Sequence, residues 1–253
     1  MSEWRAELVV PRSAAGAERW PVPEKIFLRA PRSEYNKNMR FDIITIFPKI
    51  LDSYFSESIL KRAQEKRLIT ITAHNLRDYT TDKHHKVDDK PYGGGPGMVI
   101  KIEPVFKAVS SILKSFKNNK QKTRVILFST RGKKFDAKTA KQLSKYDRLI
   151  LICGRYEGVD ERVAQYIADE EISVGDYVLS GGELPAMILV DAVSRQIPGV
   201  LGKLESLEEI KGSYEVYTRP EIFQPKKGKN WKAPKVLLGG SHKDIAKWRR
   251  LLT

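Results

Sequence analysis

Apolar residues first concentrate in Phe41-Asp-Ile-Ile-Thr-Ile-Phe47, a β-branched run ended by Pro48, and this pattern predicts a buried strand. Residues 1–38 mix Pro, Ala, Ser and scattered charge without a sustained period, and they contain no apolar stretch of the secretory-signal kind. They read as a flexible extension, with the ordered domain starting at Met39. Between 49 and 67, Ile50, Leu51, Tyr54, Phe55, Ile59 and Leu60 recur at near-helical spacing and predict one amphipathic helix. A strand at 68–74 and a polar loop at 75–98 follow, the loop ending in Tyr92-Gly-Gly-Gly-Pro-Gly97. Signals then alternate: helix 103–117, strand 124–129, helix 136–145, strand 148–153, strand 172–174 and helix 184–195. Such alternation predicts an α/β domain with a parallel sheet.

Three of the strand ends in this pattern carry glycine: Ser129-Thr-Arg-Gly132, Cys153-Gly-Arg-Tyr-Glu-Gly158 and Gly175-Asp-Tyr-Val-Leu-Ser-Gly-Gly-Glu183. Glycine permits positive φ and leaves out a side chain, so three such turns suggest backbone closely approaching one shared ligand. The ends of strands in open α/β sheets are where ligands bind. None of the turns has the Gly-Lys-Ser/Thr ending of a phosphate-binding loop, and no Gly-x-Ser-x-Gly elbow occurs. His84 and His85 beside Asp82, Asp88 and Asp89 match no zinc spacing and read as a solvated loop.

Charge narrows the partner class. The 253 residues carry a formal net charge of +15, which attracts polyanions and makes nucleic acid the leading partner. The excess is densest from residue 219 to 253, where ten Lys or Arg face only Glu221 and Asp244, with Trp231 and Trp248 among them. Pro220, Pro225 and Pro234 predict a loop in the first half of this stretch, and 243–252 reads as a basic helix. No apolar run is long enough to span a bilayer, so no membrane role is expected. Cys153 is the single cysteine, which excludes an intrachain disulfide and fits a cytoplasmic location.

Six ordered blocks then carry a resemblance. Phe41-Asp-Ile-Ile-Thr-Ile-Phe-Pro48, Asp89-Lys-Pro-Tyr-Gly-Gly-Gly-Pro-Gly97, Gly154-Arg-Tyr-Glu-Gly-Val-Asp-Glu-Arg162, Ser173-Val-Gly-Asp-Tyr-Val-Leu-Ser-Gly-Gly-Glu-Leu-Pro185, Asp191-Ala-Val-Ser-Arg195 and Tyr217-Thr-Arg-Pro220 together resemble the bacterial tRNA (guanine-37-N1)-methyltransferases of the TrmD type. These belong to the SPOUT superfamily. The resemblance implies a SPOUT-type parallel sheet closed by a C-terminal trefoil knot, followed by a small, mostly helical, basic C-terminal region. It divides the chain into the extension at 1–38, a methyltransferase domain at 39–198, a linker and catalytic loop at 199–218, and a tRNA-binding region at 219–253 that is shorter than usual.

The resemblance also implies S-adenosylmethionine as cofactor, held by Phe128, Ser129, Gly154, Tyr156, Glu157, Val174, Gly175, Asp176, Tyr177, Val178, Leu179, Gly181 and Gly182. It implies tRNA as substrate, met by Asp89, Lys90, Tyr92 and Arg219, and a homodimer whose site is shared between subunits. The apolar residues at 184–200 serve an interface or the core equally well. Magnesium is a further implied ion, with Glu157 and Asp176 as candidate ligands. The implied catalytic pair is Arg195, stabilising guanine O6, and an acid that removes the N1 proton. The acid departs from the usual Asp-Ser-Phe: Glu205-Ser-Leu stands there, with Glu208 or Glu209 as the fallback. The departures leave two other readings open, a non-catalytic RNA-binding protein with the same fold and a SPOUT enzyme acting on another RNA.

Overall fold

The computed structural model describes residues 38–115, 121–202 and 214–250. Strand β1 (Met39–Thr45) leads into α1 (Lys49–Phe55) and α2 (Ser58–Glu65), then β2 (Ile69–Asn75). A 3-10 turn (Leu76–Tyr79) precedes the short antiparallel pair β3 (Asp88–Asp89) and β4 (Val99–Ile100). Then come α3 (Ile102–Lys114), β5 (Thr123–Lys134), α4 (Ala137–Leu143), β6 (Arg148–Ile152), α5 (Glu161–Tyr166), β7 (Glu170–Ser173) and α6 (Glu183–Arg195). The single helix expected over 49–67 is two, because Ser58 takes φ 52 and breaks the turn after Phe55. The expected amphipathic face survives in both pieces, through buried Leu51, Phe55 and Leu60.

The main sheet runs β2-β1-β6-β5-β7, and every neighbouring pair is parallel. Both faces are covered, which explains why the strands read as continuous apolar runs rather than alternating ones. Phe41, Ile43, Leu149, Leu151, Ile126 and Phe128 point to one core with α1, α2, α4 and α6. Ile44, Ile150, Ile152, Val125 and Leu127, at the interleaved positions, point to the other core with α3 and α5. The period of two along each strand thus splits one apolar run between two cores.

The second face also carries a buried charged pair. Asp42, 1% exposed, meets Arg148 Nε at 2.6 Å through Oδ2 and His74 Nε2 at 2.7 Å through Oδ1. Arg148 also donates to the Ile112 carbonyl at 3.0 Å, tying β1, β2, β6 and the end of α3 together.

The basic C-terminal stretch differs from its expected loop and mostly helical character. Residues Ile222–Lys226 and Lys229–Lys232 form a hairpin, with Gly228 at φ 85 supplying the left-handed position of its turn. Pro225 is tolerated because a two-stranded ribbon has two edges. Helices Lys235–Leu238 and His242–Arg250 follow, the second matching the predicted basic helix. Phe223 and Trp231 stack across the hairpin at 5.7 Å, and Tyr217 and Trp248 meet at 6.3 Å.

Candidate functional site

The Gly-bearing ends of β5, β6 and β7 enclose a cavity of about 470 Å³, within the size range of small-molecule sites. β5 pairs with β7 up to Phe128, bulges through Ser129–Gly132, and resumes pairing at Lys133. A Cβ on Gly132 would lie 2.6 Å from the backbone of Glu171 and Ile172, so the bulge closes only around glycine. The exit of β6 contributes Gly154, and the exit of β7 contributes Val174, Gly175 and Tyr177–Gly182.

A buried carboxylate binds these loops to one another. Glu183, 1% exposed at the start of α6, accepts from Thr45 Oγ1 at 2.5 Å and from Arg155 Nε at 2.9 Å. Arg155 also donates to the Ser180 carbonyl at 3.1 Å and lies 4.9 Å over the Phe47 ring. Gly182 donates to the Gly154 carbonyl at 2.9 Å, and a Cβ there would meet Cys153 Cα at 2.6 Å. Gly181 is crowded by Arg155, and Gly175 by the Tyr177 ring. Neither has positive φ. The close approach that these glycines permit is therefore to the protein itself, where the sequence suggested approach to a ligand.

The residue with an unusual backbone in this wall is Tyr156, at φ 60. A bulky side chain there is strained, and such strain clusters at functional sites. Tyr156, Tyr177 and Val178 expose large apolar surface at the cavity, being 48%, 54% and 85% exposed. Three acids, Glu157, Glu161 and Glu171, also line it, with Arg131 donating to Glu161 at 2.6 Å. The lining therefore offers flat apolar surface for a ring and negative charge for a cation. Cys153 lies beneath, its thiol pushed well up by burial and so held as an inert packing group, as expected of a buried strand-end cysteine.

Of the residues expected at a cofactor, Phe128, Ser129, Gly154, Tyr156, Glu157, Val174, Gly175, Tyr177, Val178, Leu179, Gly181 and Gly182 line this cavity. Asp176 does not: it is exposed and pairs with Lys134. Arg155, Thr130, Arg131 and Glu161 were missed. For Arg155 the signal was present, since a cation in a Gly-rich turn and the Glu183 after Gly181-Gly182 are complementary charges in two such turns.

Arg195 lies elsewhere. It borders a second cavity of about 600 Å³, walled by Tyr54, Phe135, Leu184, Met187, Ile188 and Asp191 among others. Since α6 begins at the first cavity and rises ~1.5 Å per residue, Arg195 stands roughly 18 Å along the helix from it. On that helix Leu189, Val190 and Val193 are core, whereas Leu184 and Ile188 are exposed at 52% and 43%. The apolar residues of α6 thus serve two surfaces, which periodicity alone left undivided.

The remaining expected residues are on loops. Asp89 and Lys90 are exposed, Tyr92 is fully exposed, and Arg219 precedes the C-terminal hairpin. The glycine loop reaches the first cavity at its far end, where a Cβ on Gly97 (φ 79) would collide with Glu157 and where Glu157 N donates to Met98 O at 3.0 Å. Asp82 accepts from the backbone of His84 at 2.8 Å and of Lys86 at 3.1 Å, so this acid closes a turn. Those bonds hold its carboxyl below the usual range. Among the described residues no three His, Cys, Asp or Glu side chains converge as a metal-binding group. Of the candidate magnesium ligands, Glu157 lines the first cavity and Asp176 pairs with Lys134 outside its lining. Glu205, Glu208, Glu209 and residues 1–37 lie outside the described residues.

Comparison with known proteins bears on these cavities. Residues 39–253 match the family model described as tRNA (Guanine-1)-methyltransferase TrmD. A tRNA (guanine-N(1)-)-methyltransferase of Dictyoglomus turgidum is 52% identical over 212 residues, covering 84% of each chain. The protein of that name from Carboxydothermus hydrogenoformans is 50% identical over 212 residues, covering 84% of this chain and 81% of its own. The crystal structure of tRNA (m1G37) methyltransferase from Aquifex aeolicus superimposes with a TM-score of 0.70 at 41% identity, covering 83% of this chain and 87% of that one. With the match running from the first strand to the last residue, the chain belongs to the TrmD-type tRNA (guanine-1)-methyltransferase family of enzymes.

Proposed function

We propose that this chain, a tRNA (guanine-N1)-methyltransferase by family, takes its methyl group from S-adenosylmethionine in the 470 Å³ cavity and delivers it to N1 of guanine 37, beside the anticodon. The observation that carries the reading is the cavity itself, walled by Gly154, Val174, Gly175 and Tyr177 to Leu179 at the sheet's C-terminal end. Its lining suits the cofactor: Tyr156, Tyr177, Val178 and Leu179 offer apolar surface for adenine, and Glu157, Glu161 and Glu171 offer negative charge to the sulfonium and ammonium groups. The cofactor would supply an electrophilic methyl on sulfur. The protein's part is to position the base, remove the N1 proton through Glu205 and stabilise the charge growing on O6 through Arg195.

The trefoil knot belongs to this reading, supported by the hydrogen bonds from Arg155 to Ser180 and Glu183 and from Gly182 to Gly154, which hold segments 154–158 and 174–183 against one another. So do the catalytic domain at 39–198, the linker and catalytic loop at 199–218, the tRNA-binding region at 219–253, where cationic residues and aromatic rings lie together, and a cytoplasmic location. No described helix is long and apolar enough to cross a membrane.

The separation of Arg195 from the first cavity supports a homodimer. Roughly 18 Å of helix lies between Arg195 and the end of α6 at the first cavity, and a second copy bringing its own cofactor to Arg195 would join both parts at one guanine. The exposed apolar residues Leu184 and Ile188, beside the second cavity, suit such an interface. Replacing Ile188 by Asp puts a charge into that contact. Sedimentation velocity should show Ile188→Asp as a monomer with a near-native far-UV spectrum and no methylation, and a fully active dimer would refute the interface.

The test of the function is the nucleoside that gains the label when the protein, S-adenosylmethionine with a labelled methyl group and bulk tRNA are incubated and the tRNA is digested. Label in 1-methylguanosine from position 37 is expected. Label in a ribose, in another base or in none overturns the proposal. For the cavity, Gly182→Ala should weaken S-adenosylmethionine binding by roughly tenfold or more by calorimetry, because the new methyl pushes Cys153 and Gly154 into the site. Unchanged affinity would place the cofactor elsewhere.

A further inference from the structure

The last turn of α6 carries Asp191 and Arg195, an acid four residues ahead of a base, the order that favours an ion pair along a helix. That pair is not made. Asp191 Oδ2 accepts from the Tyr54 hydroxyl on α1, and the Arg195 guanidinium makes no hydrogen bond or ion pair with any described residue. Tyr54 is held for this task by an edge-to-face contact with Phe55, ring centres 6.0 Å apart. Its hydroxyl stays a donor across the working pH range, because the bond to Asp191, with burial second, pushes the phenol up to about 12.

We propose that Tyr54 is a positioning residue that holds Asp191 away from Arg195, leaving the guanidinium free for the charge that develops on guanine O6. This rests on the reading of Arg195 given above. A carboxylate paired with Arg195 would neutralise in advance the field that the transition state needs, and the pair would have to break on every turnover. Tyr54 touches neither substrate nor cofactor in this scheme. It acts by occupying the acid one turn before Arg195, while Asp136, the other acid lining that cavity, accepts from Thr139 N at 2.7 Å.

Tyr54→Phe removes the hydroxyl and keeps the ring, so packing against Phe55 is retained. Its single-turnover methylation rate should fall roughly fivefold, as Asp191 turns to Arg195, with S-adenosylmethionine affinity unchanged. Adding Asp191→Asn to Tyr54→Phe should restore the rate, because the competing charge is gone. A packing or assembly defect at this face would not be repaired by neutralising Asp191. The positioning role is overturned if Tyr54→Phe reacts at the wild-type rate or if the double variant stays as slow as the single one. If Arg195→Ala itself reacts at the wild-type rate, the assignment of Arg195 fails and takes this inference with it. A slow Arg195→Ala beside an unimpaired Tyr54→Phe rejects the positioning role alone.

Discussion

Arg195→Ala should lower the single-turnover rate of guanine methylation by on the order of a hundredfold or more while leaving S-adenosylmethionine affinity unchanged. The argument starts with the base. Neutral guanine carries a proton on N1, and as it leaves, negative charge gathers on O6. A cation fixed near O6 stabilises that charge more than the ground state and so acts on the chemical step. Arg195 has the properties required: it is anchored on a packed helix, half-buried, and unclaimed by any described acid. Because it lies by the second cavity and the proposed cofactor pocket is the first, its loss should spare cofactor binding.

The partner variant is Glu205→Gln, with a similar expected loss. Glu205 must be ionised to accept the proton, so the wild-type rate should rise with pH until its carboxylate is fully formed, and the Gln variant should lose that rise. Glu205→Asp should keep partial activity, because the shorter side chain restores the family's acid but not the family's longer loop. A wild-type rate for Glu205→Gln with a dead Glu208→Gln or Glu209→Gln would move the base along the segment. Activity in all three would remove the base from it.

Much of the fold is legible in the sequence because both sheet faces are covered. Phe41-Asp-Ile-Ile-Thr-Ile and Leu149-Ile-Leu-Ile read as strands simply by being apolar and β-branched without interruption. The break in the first helix was not legible, since it depends on one residue, Ser58, adopting positive φ, and serine is no marker of that conformation. The C-terminal hairpin was hidden by its prolines, which argue against a central strand but not against an isolated ribbon.

At the candidate site, the glycine turns line one cavity, and the close approaches at Gly181 and Gly182 are to Arg155 and Cys153. A glycine marks that something comes close, and only coordinates distinguish Arg155 or Cys153 from a ligand. Asp176 lies outside the cavity lining for a related reason: the motif gives its place in the chain, while its exposed side chain pairs with Lys134, forty-two residues away. The distance between Arg195 and the first cavity is likewise a property of helix length and packing, to which motif matching is blind.

The largest effect on stability should come from the buried charge beneath the sheet. Arg148 is 1% exposed and is held by Asp42 and the Ile112 carbonyl, and burial pushes its pKa down from the ordinary arginine value, although Asp42 opposes that shift. Desolvating such a pair costs several kcal/mol, which its attraction roughly offsets, so the pair itself adds little net stability. Breaking it is another matter. Arg148→Met leaves the Asp42 carboxylate, 1% exposed, with His74 as its remaining side-chain partner, and removing one member of a buried pair costs about 3–5 kcal/mol. For a chain of this size that lowers the melting temperature by on the order of 10 °C, readable by calorimetry. The double replacement Arg148→Met with Asp42→Leu should recover most of the loss, because no uncompensated charge is left between β1 and β6. The same cycle reaches function, since β6 ends at Ile152, two residues before Gly154 in the cavity wall. Arg148→Met should therefore weaken S-adenosylmethionine binding as well, and the double variant should restore it. If the double variant melts no higher than Arg148→Met, the penalty comes from lost packing against α3 and not from the stranded charge.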